Sequence, residues 1–153
     1  MRTMLLSLKN DVFNRVLSGE KIYEHRKVFP DEPVKAYIYV SAPMKSICGI
    51  MYLSNKTSLL EWKERFSYDT ECVNRINKYL KSCKFGMEIN KFEKTNAITL
   101  DTLRKDLSKF VVPQMYYFIE NTELLNYLEK KLIPDGKIIT HCYDNVTSDK
   151  ICR

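Results

Sequence analysis

Gly19-Glu20-Lys21-Ile22-Tyr23-Glu24-His25-Arg26 is the segment around which the rest of the chain is organised, because a helix stop leads directly into a charged strand. Residues 10–18 before it place apolar side chains on one helical face and therefore predict a short amphipathic helix. Gly19 can adopt the left-handed conformation that ends a helix, so the chain can leave in a new direction. In a strand, Glu24 and Arg26 share one face. The carboxylate and the guanidinium can therefore pair, or both can reach into a cleft.

This stretch resembles a family signature. The pattern G-x-K-x-x-E-x-R is carried here by Gly19, Lys21, Glu24 and Arg26. It resembles the motif of ASCH domains, the activating-signal-cointegrator homology group, whose fold is PUA-like. Three further segments resemble ASCH motifs in the expected order: residues 37–43 (YIYVSAP), Cys48-Gly49 and residues 112–118 (VPQMYYF). The resemblance covers roughly residues 1–118. It implies an α+β fold, a small, mostly antiparallel PUA-like β-barrel with peripheral helices.

The same resemblance implies a charged cleft that binds RNA or modified nucleotides. Arg suits phosphate or a base edge, Lys supplies a point charge, and Glu accepts a hydrogen bond from an exocyclic amine. In the family, the turn after the central strand borders the cleft, and the late Pro-Gln strand is a further motif. The ligand-binding candidates are Lys21, Glu24, Arg26, Ser41, Lys45, Gln114 and Tyr116. Two alternatives stay open: Glu24 and Arg26 can brace the barrel as an ion pair, and Ser41 and Lys45 can form an ordinary polar turn.

Some ASCH relatives are enzymes, so catalysis is an alternative to binding alone. One branch hydrolyses acetylated cytidine, using a Lys and a Thr of this motif and a Glu from another part of the chain. Here Lys21 matches the lysine, but Glu24 stands in the place of the threonine. Other relatives have been assigned ribonuclease activity. For that reaction Lys21 and Glu24 are the candidate catalytic residues, and Arg26 is a candidate for stabilising phosphate. Walker, G-x-S-x-G, H-E-x-x-H and Rossmann motifs are absent from the sequence.

The charge distribution favours a polyanionic partner. The formal net charge is +6, and residues 1–58 hold nine Lys/Arg against five Asp/Glu, so most of the excess lies with the motif. Together with the resemblance, this favours nucleic acid, RNA rather than DNA, or a nucleotide. A predicted helix at residues 70–83 carries Arg75, Lys78 and Lys81 on its polar face, which can contact phosphate or simply be solvated. A protein-interaction module that uses this helix or the one at residues 122–132 is the remaining alternative.

Composition indicates one compact domain, residues 1–153. The sequence is 44% apolar and 29% charged, which is typical of a globular protein with a core. The five cysteines are scattered without C-x-x-C spacing and there are two histidines, so we predict reduced thiols, no metal site and no cofactor. No apolar run could span a bilayer and a leader pattern is missing, so we expect a cytoplasmic protein with no membrane partner. The oligomeric state stays open.

Hydrophobic periodicity and turn residues predict the remaining elements. Strands are predicted at residues 3–8, 21–29, 35–41, 46–53, 84–93, 97–100, 113–119 and 137–140. The strand at 35–41 is apolar or aromatic on both faces, so we expect it at the centre of the sheet. Helices are predicted at residues 58–66, 70–83, 101–107 and 122–132, of which the first two form a helical insertion near 58–83. From residue 122 a C-terminal helix leads into a tail, and the end of that tail is expected to be frayed.

Overall fold

The computed structural model describes residues 1–153 as an α+β protein of seven strands and five helices. The strands are Arg2–Leu8 (β1), Tyr23–Arg26 (β2), Val34–Val40 (β3), Ser46–Ser58 (β4), Phe85–Thr99 (β5), Tyr116–Phe118 (β6) and Pro134–Thr140 (β7). The helices are Asn10–Leu17 (α1), Leu59–Arg65 (α2), Thr70–Leu80 (α3), Leu100–Asp106 (α4) and Glu123–Lys131 (α5), with a 3-10 helix at Ser148–Lys150. None of the helices has the length and apolar character needed to cross a membrane.

All seven strands form one mixed sheet that curls into a half-barrel. Its order is β2-β5-β4-β3-β1-β6, and β7 pairs with β5. Only β1 and β3 run parallel, and α1 and β2 supply the crossover that a parallel pair requires. The ladder between β4 and β5 shifts register at three places. Such bulges bend and twist long strands, which allows the sheet to curl. The fold is therefore α+β with a curled, mostly antiparallel sheet, as predicted from the sequence.

The two faces of the sheet bury different clusters. Along β3, Ala36, Ile38 and Val40 point into one cluster, which α1 covers with Phe13 and Val16. The alternate residues Tyr37 and Tyr39 point into the other, which α4 and α5 cover. The prediction that this strand is central and apolar on both faces is confirmed.

A third cluster attaches the helical insertion to β2. Trp62 of α2 lies edge-on to Tyr23 of β2, with ring centroids 4.6 Å apart. Beneath it, Gly86 of β5 leaves room for the indole, since a Cβ there would meet Trp62 Cζ3 at 2.6 Å. Buried Cys72 and Ile76 of α3 belong to the same cluster. The insertion is thus packed onto the sheet edge and holds α3 beside β2.

Several predicted boundaries are wrong for identifiable reasons. The strands at 84–93 and 97–100 are one strand, β5, because the polar residues between them pair with β7 through a register shift instead of turning. The strand at 113–119 is reduced to Tyr116–Phe118, since only these residues pair with β1. The strand at 21–29 is reduced to Tyr23–Arg26. Lys21, the first residue of the predicted strand, donates its backbone N–H to the Arg15 carbonyl and therefore still belongs to the turn that ends α1.

Hydroxyl side chains cap three of the helices. Ser58 accepts from the Leu60 N–H at the start of α2, and Thr122 accepts from the Leu125 N–H at the start of α5. At α4, Thr99 accepts from the Thr102 N–H in the same way.

The C-terminal segment contradicts the prediction of a frayed end. Ile151 and Cys152 are 1% and 3% exposed and pack into the third cluster. Arg75 of α3 donates to the carbonyl oxygens of Ser148 and Ile151, which fixes the backbone. The polar composition of residues 144–150 suggested a solvated end, but two apolar side chains and one arginine are sufficient to order it.

Candidate functional site

A cleft of about 310 Å³ lies where the end of β1, the start of α1, β2 and α3 meet. Its polar lining includes Ser7, Lys21, Glu24, His25, Arg26, Ser41, Tyr79 and Gln114. Two cavities of about 460 Å³ elsewhere are larger, but neither has a buried charged group in its wall. Lys21, Glu24 and His25 are the buried ionisable side chains of the chain apart from cysteine and tyrosine. Burying ionisable side chains costs free energy, and the concentration of all three at this cleft points to it as the site.

Lys21 is held at the floor of the cleft by the helix stop. Gly19 takes a φ of +82°, which only glycine adopts readily, and the turn directs Lys21 inward until it is 2% exposed. Its ammonium lies 3.0 Å from His25 Nδ1, 3.0 Å from the backbone oxygen of Arg153 and 3.4 Å from the Tyr79 hydroxyl. Burial lowers the pKa of Lys21, and the charge of Glu24 partly opposes that effect.

His25 is neutral in this site. Its pKa lies well below the ordinary value, first because of burial and then because Lys21 is adjacent. Since Nδ1 accepts from the Lys21 ammonium, the hydrogen-bond pattern assigns the ring proton to Nε2. That Nε2 is buried and has no partner. The ring also stacks against Tyr79, with centroids 4.3 Å apart, so His25 links β2 to α3.

Glu24 and Arg26 form an ion pair with spare hydrogen-bonding capacity. Arg26 Nε lies 3.3 Å from Glu24 Oε1, and the two side chains are 14% and 5% exposed. Arg26 Nη2 donates to the Ser7 carbonyl at 2.8 Å, and Glu24 Oε1 accepts from the His25 N–H. Glu24 Oε2 is buried without a partner, and Arg26 Nε has no partner in hydrogen-bonding geometry. The pair therefore braces the wall and leaves an acceptor and a donor available.

The structure brings most of the sequence-predicted residues together. Ser41 and Gln114 line the same cleft as Lys21, Glu24 and Arg26. Lys45 and Tyr116 lie outside its lining. Lys45 is exposed and uses its backbone carbonyl to accept from Leu100 N–H, and the Tyr116 ring packs against Phe29. Both residues are near in sequence to a lining residue, Ser41 or Gln114, but their own side chains lie elsewhere.

Sequence reasoning missed three contributors to the cleft. His25 alternates with Glu24 and Arg26 along the strand, yet all three line the cleft. Tyr79 lies on α3, and helical periodicity alone does not indicate that a residue lines a cleft. Arg153 lies 132 residues from Lys21 along the chain, and hydrophobic periodicity cannot predict a contact over that separation.

Protonation of His25 should make the stability of the protein depend on pH below neutrality. The unfolded chain binds a proton near pH 6.5, but folded His25 resists it, so stability is complete above 6.5 and is lost as pH falls. The slope should approach about 1.4 kcal/mol per pH unit between pH 6.5 and 5. His25→Gln, which keeps an acceptor for Lys21, should lose that slope in urea unfolding. His141→Gln is the comparison variant: burial lowers the pKa of His141 as well, but less than that of His25, so this variant should lose less of the slope. An equal slope in His25→Gln and the native chain would contradict the assignment.

Comparison with known structures gives the fold a class. The crystal structure of an ASCH protein from Zymomonas mobilis matches with a TM-score of 0.68 at 20% identity, covering 87% of this chain and 97% of that one. Crystal structures of a serine-to-alanine and a tyrosine-to-phenylalanine variant from the same organism give TM-scores of 0.61 and 0.60. These two are 20% and 18% identical and cover 84% and 85% of this chain and 95% and 99% of theirs. Neither a protein-family model nor a curated protein matches the sequence. The chain has an ASCH-like fold, as the motif around Lys21 predicted.

Proposed function

We propose that this protein is a nucleic-acid-binding module that takes one nucleotide of an RNA strand into the cleft around Lys21. The observation that carries the proposal is the buried, unpartnered Glu24 Oε2 beside the Arg26 guanidinium. A buried carboxylate oxygen without a donor is costly, and a ligand amine would relieve that cost. An acceptor and a cation side by side match a nucleobase that carries an exocyclic amine and the phosphate attached to it.

The dimensions and charge of the cleft fit this ligand. A volume of about 310 Å³ is at the small end of ligand pockets, which suits one nucleotide and not a folded partner. The Tyr79 ring and the His25 ring offer π faces at the wall. The net charge of +6 would raise the local concentration of polyanions. The choice of RNA over DNA follows from the family resemblance and the basic first third of the sequence. A cytoplasmic location follows from the missing leader pattern and the missing apolar run, and both stay predictions.

Binding to RNA should be salt-dependent and should depend on Lys21. Lys21→Met keeps most of the side-chain volume but removes the charge, so it should weaken binding by about 1–3 kcal/mol, or about fivefold to 150-fold. Fluorescence anisotropy with a labelled, random-sequence RNA oligonucleotide measures the affinity, and a rise from low to physiological salt should reduce it steeply. Lys137→Ala is the control, since Lys137 is exposed on β7 outside the cleft lining. If the native chain binds neither RNA nor DNA at low ionic strength, the proposed function is wrong.

Hydrolysis of RNA or of a modified nucleoside is the second candidate function. The observation in its favour is the 3.0 Å contact between the Lys21 ammonium and His25 Nδ1, because burial also lowers the pKa of Lys21 and so makes it a better proton donor. Incubation with RNA and with acetylated cytidine, followed by product analysis, tests it. Glu24→Gln separates the candidates: lost turnover with retained binding favours an enzyme, and no product with the native chain excludes these two reactions.

A further inference from the structure

The C-terminal segment, residues 141–153, packs against the helical insertion and reaches two residues of the cleft wall, Lys21 and Tyr79. We call it the tail. At its start, the Tyr143 hydroxyl lies 2.6 Å from the Ile22 carbonyl oxygen and 2.7 Å from that of Ile89. Further along, Arg75 donates to the backbone oxygens of Ser148 and Ile151 at 2.8 and 3.1 Å. The side chains of Ile151 and Cys152 are buried against α3. The tail is therefore attached to β2, β5 and α3.

The last contact of the tail is with Lys21. The backbone oxygen of Arg153 lies 3.0 Å from the Lys21 ammonium and 3.0 Å from the Tyr79 hydroxyl, which donates to it. An ammonium has three N–H donors and no acceptor. Lys21 has three acceptors around it, on His25, Tyr79 and Arg153. All of its donors are thus assigned within the protein, and none is left for an oxygen of a ligand.

We propose that the tail is an internal ligand of the cleft, and that the Arg153 oxygen must leave Lys21 before a nucleotide phosphate can bind there. This inference rests on the proposed function and names the regulation of the same site. Two of the three acceptors are fixed on β2 and α3, where His25 and Tyr79 stack on each other. The third is the one on the tail, so it is the partner that can be exchanged. A phosphate oxygen carries negative charge and forms the stronger bond with an ammonium.

The geometry also says which interaction keeps the tail in place. Arg75 donates two side-chain hydrogen bonds to the tail backbone at Ser148 and Ile151, just before the contacts of Arg153 itself. A ligand that binds only the tail-free state has its apparent affinity reduced by the fraction of molecules in that state. Weakening the Arg75 contacts should therefore raise the affinity for RNA, although the substitution removes a positive charge.

Arg75→Ala and Lys78→Ala test this prediction as a matched pair. Each variant removes one positive charge from α3, but Lys78 is exposed and makes no bond to the tail. Loss of charge alone weakens RNA binding. We expect Lys78→Ala to bind labelled RNA equally or less well and Arg75→Ala to bind about threefold to tenfold more tightly. Equal or weaker binding by Arg75→Ala, with the fold intact by circular dichroism, would overturn the role of the tail.

Cys152 provides a second readout on the native chain. It precedes Arg153, is 3% exposed, and burial raises its pKa to about 12, so its thiol should react slowly while the tail is in place. Saturating RNA should increase the rate of Cys152 alkylation by iodoacetamide several-fold, measured by peptide mass spectrometry. Cys48, buried in the core of the sheet, is the internal control and should not change. RNA that binds without changing the Cys152 rate overturns the inference and leaves the proposed function standing. RNA that binds neither the native chain nor Arg75→Ala overturns both.

Discussion

Replacing Trp62 with alanine is expected to lower the free energy of unfolding by about 3–5 kcal/mol, the range for removing a large buried aromatic side chain. Trp62 is 3% exposed and packs against Tyr23 of β2. Gly86 of β5 lies directly against the indole, and glycine has no side chain that could fill the space left behind. The resulting cavity would separate the insertion from the sheet. The loss should therefore lie at the upper end of what a single substitution causes.

Urea unfolding followed by circular dichroism measures this loss, because Trp62 is the only tryptophan and its fluorescence disappears with it. Leu60→Ala is the control on the same helix. Leu60 is 63% exposed, so its replacement should change stability by no more than about 0.5 kcal/mol. The Trp62 variant should also bind RNA more weakly, since α2 and α3 position Tyr79 at the cleft. A loss below about 1 kcal/mol would show that the insertion contributes little to the packing of β2.

Replacing Glu24 with alanine is the second substitution with a large expected effect, about 3–5 kcal/mol of destabilisation. The reason is the charge left behind: Arg26 is 14% exposed and would lose its ionic partner. Arg26→Ala should cost a similar amount, because it leaves the Glu24 carboxylate buried. The double variant should lose less than the sum of the two single losses, and the difference is the coupling between the side chains.

An exposed pair elsewhere provides the reference for this cycle. Lys94 and Asp135 lie 3.0 Å apart with side chains 39% and 37% exposed, so the same double cycle there should give a coupling of no more than about 1 kcal/mol. If the coupling energy of Glu24–Arg26 were as small as that of Lys94–Asp135, a stabilising role for the ion pair would be excluded. The two side chains would then act in ligand binding alone. The two roles are compatible in this structure, because Glu24 Oε2 is unpartnered while Oε1 faces Arg26.

The parts of the site that could be predicted from sequence are those set by local chemistry. The two-residue repeat of a strand was sufficient to place Glu24 and Arg26 on one face. Lys21 entered the predicted site through the ASCH motif, and the glycine that stops the helix directs it inward. The alternation of residues 35–41 located the central strand for the same reason. The ASCH motifs predicted the fold class, which the similarity to solved structures confirms. RNA binding remains a prediction that depends on the experiments above.

The parts that could not be predicted depend on contacts between distant segments. Periodicity shows which face of a helix is apolar, but it does not show that Tyr79 on such a face lies at the edge of a cleft. Periodicity also predicts that a polar C-terminal segment is solvated. The two hydrogen bonds by which Arg75 orders this segment leave no trace in the local sequence. The pairing of β7 with β5 is of the same kind, since it depends on a register shift in a strand that looked interrupted.

The position of β1 in the sheet has a consequence for the order in which the protein can be assembled. One edge of β1 pairs with β3, but the other pairs with β6, and the ion pair between Arg2 and Glu120 that closes this junction joins residues 118 positions apart. During synthesis, β1 and β3 are both available long before β6 is made. In that interval β1 has one row of free N–H and C=O groups, which is the template on which strands of other molecules add. The free edge of β1 can therefore pair with other molecules until the short strand β6 has been synthesised and binds to it.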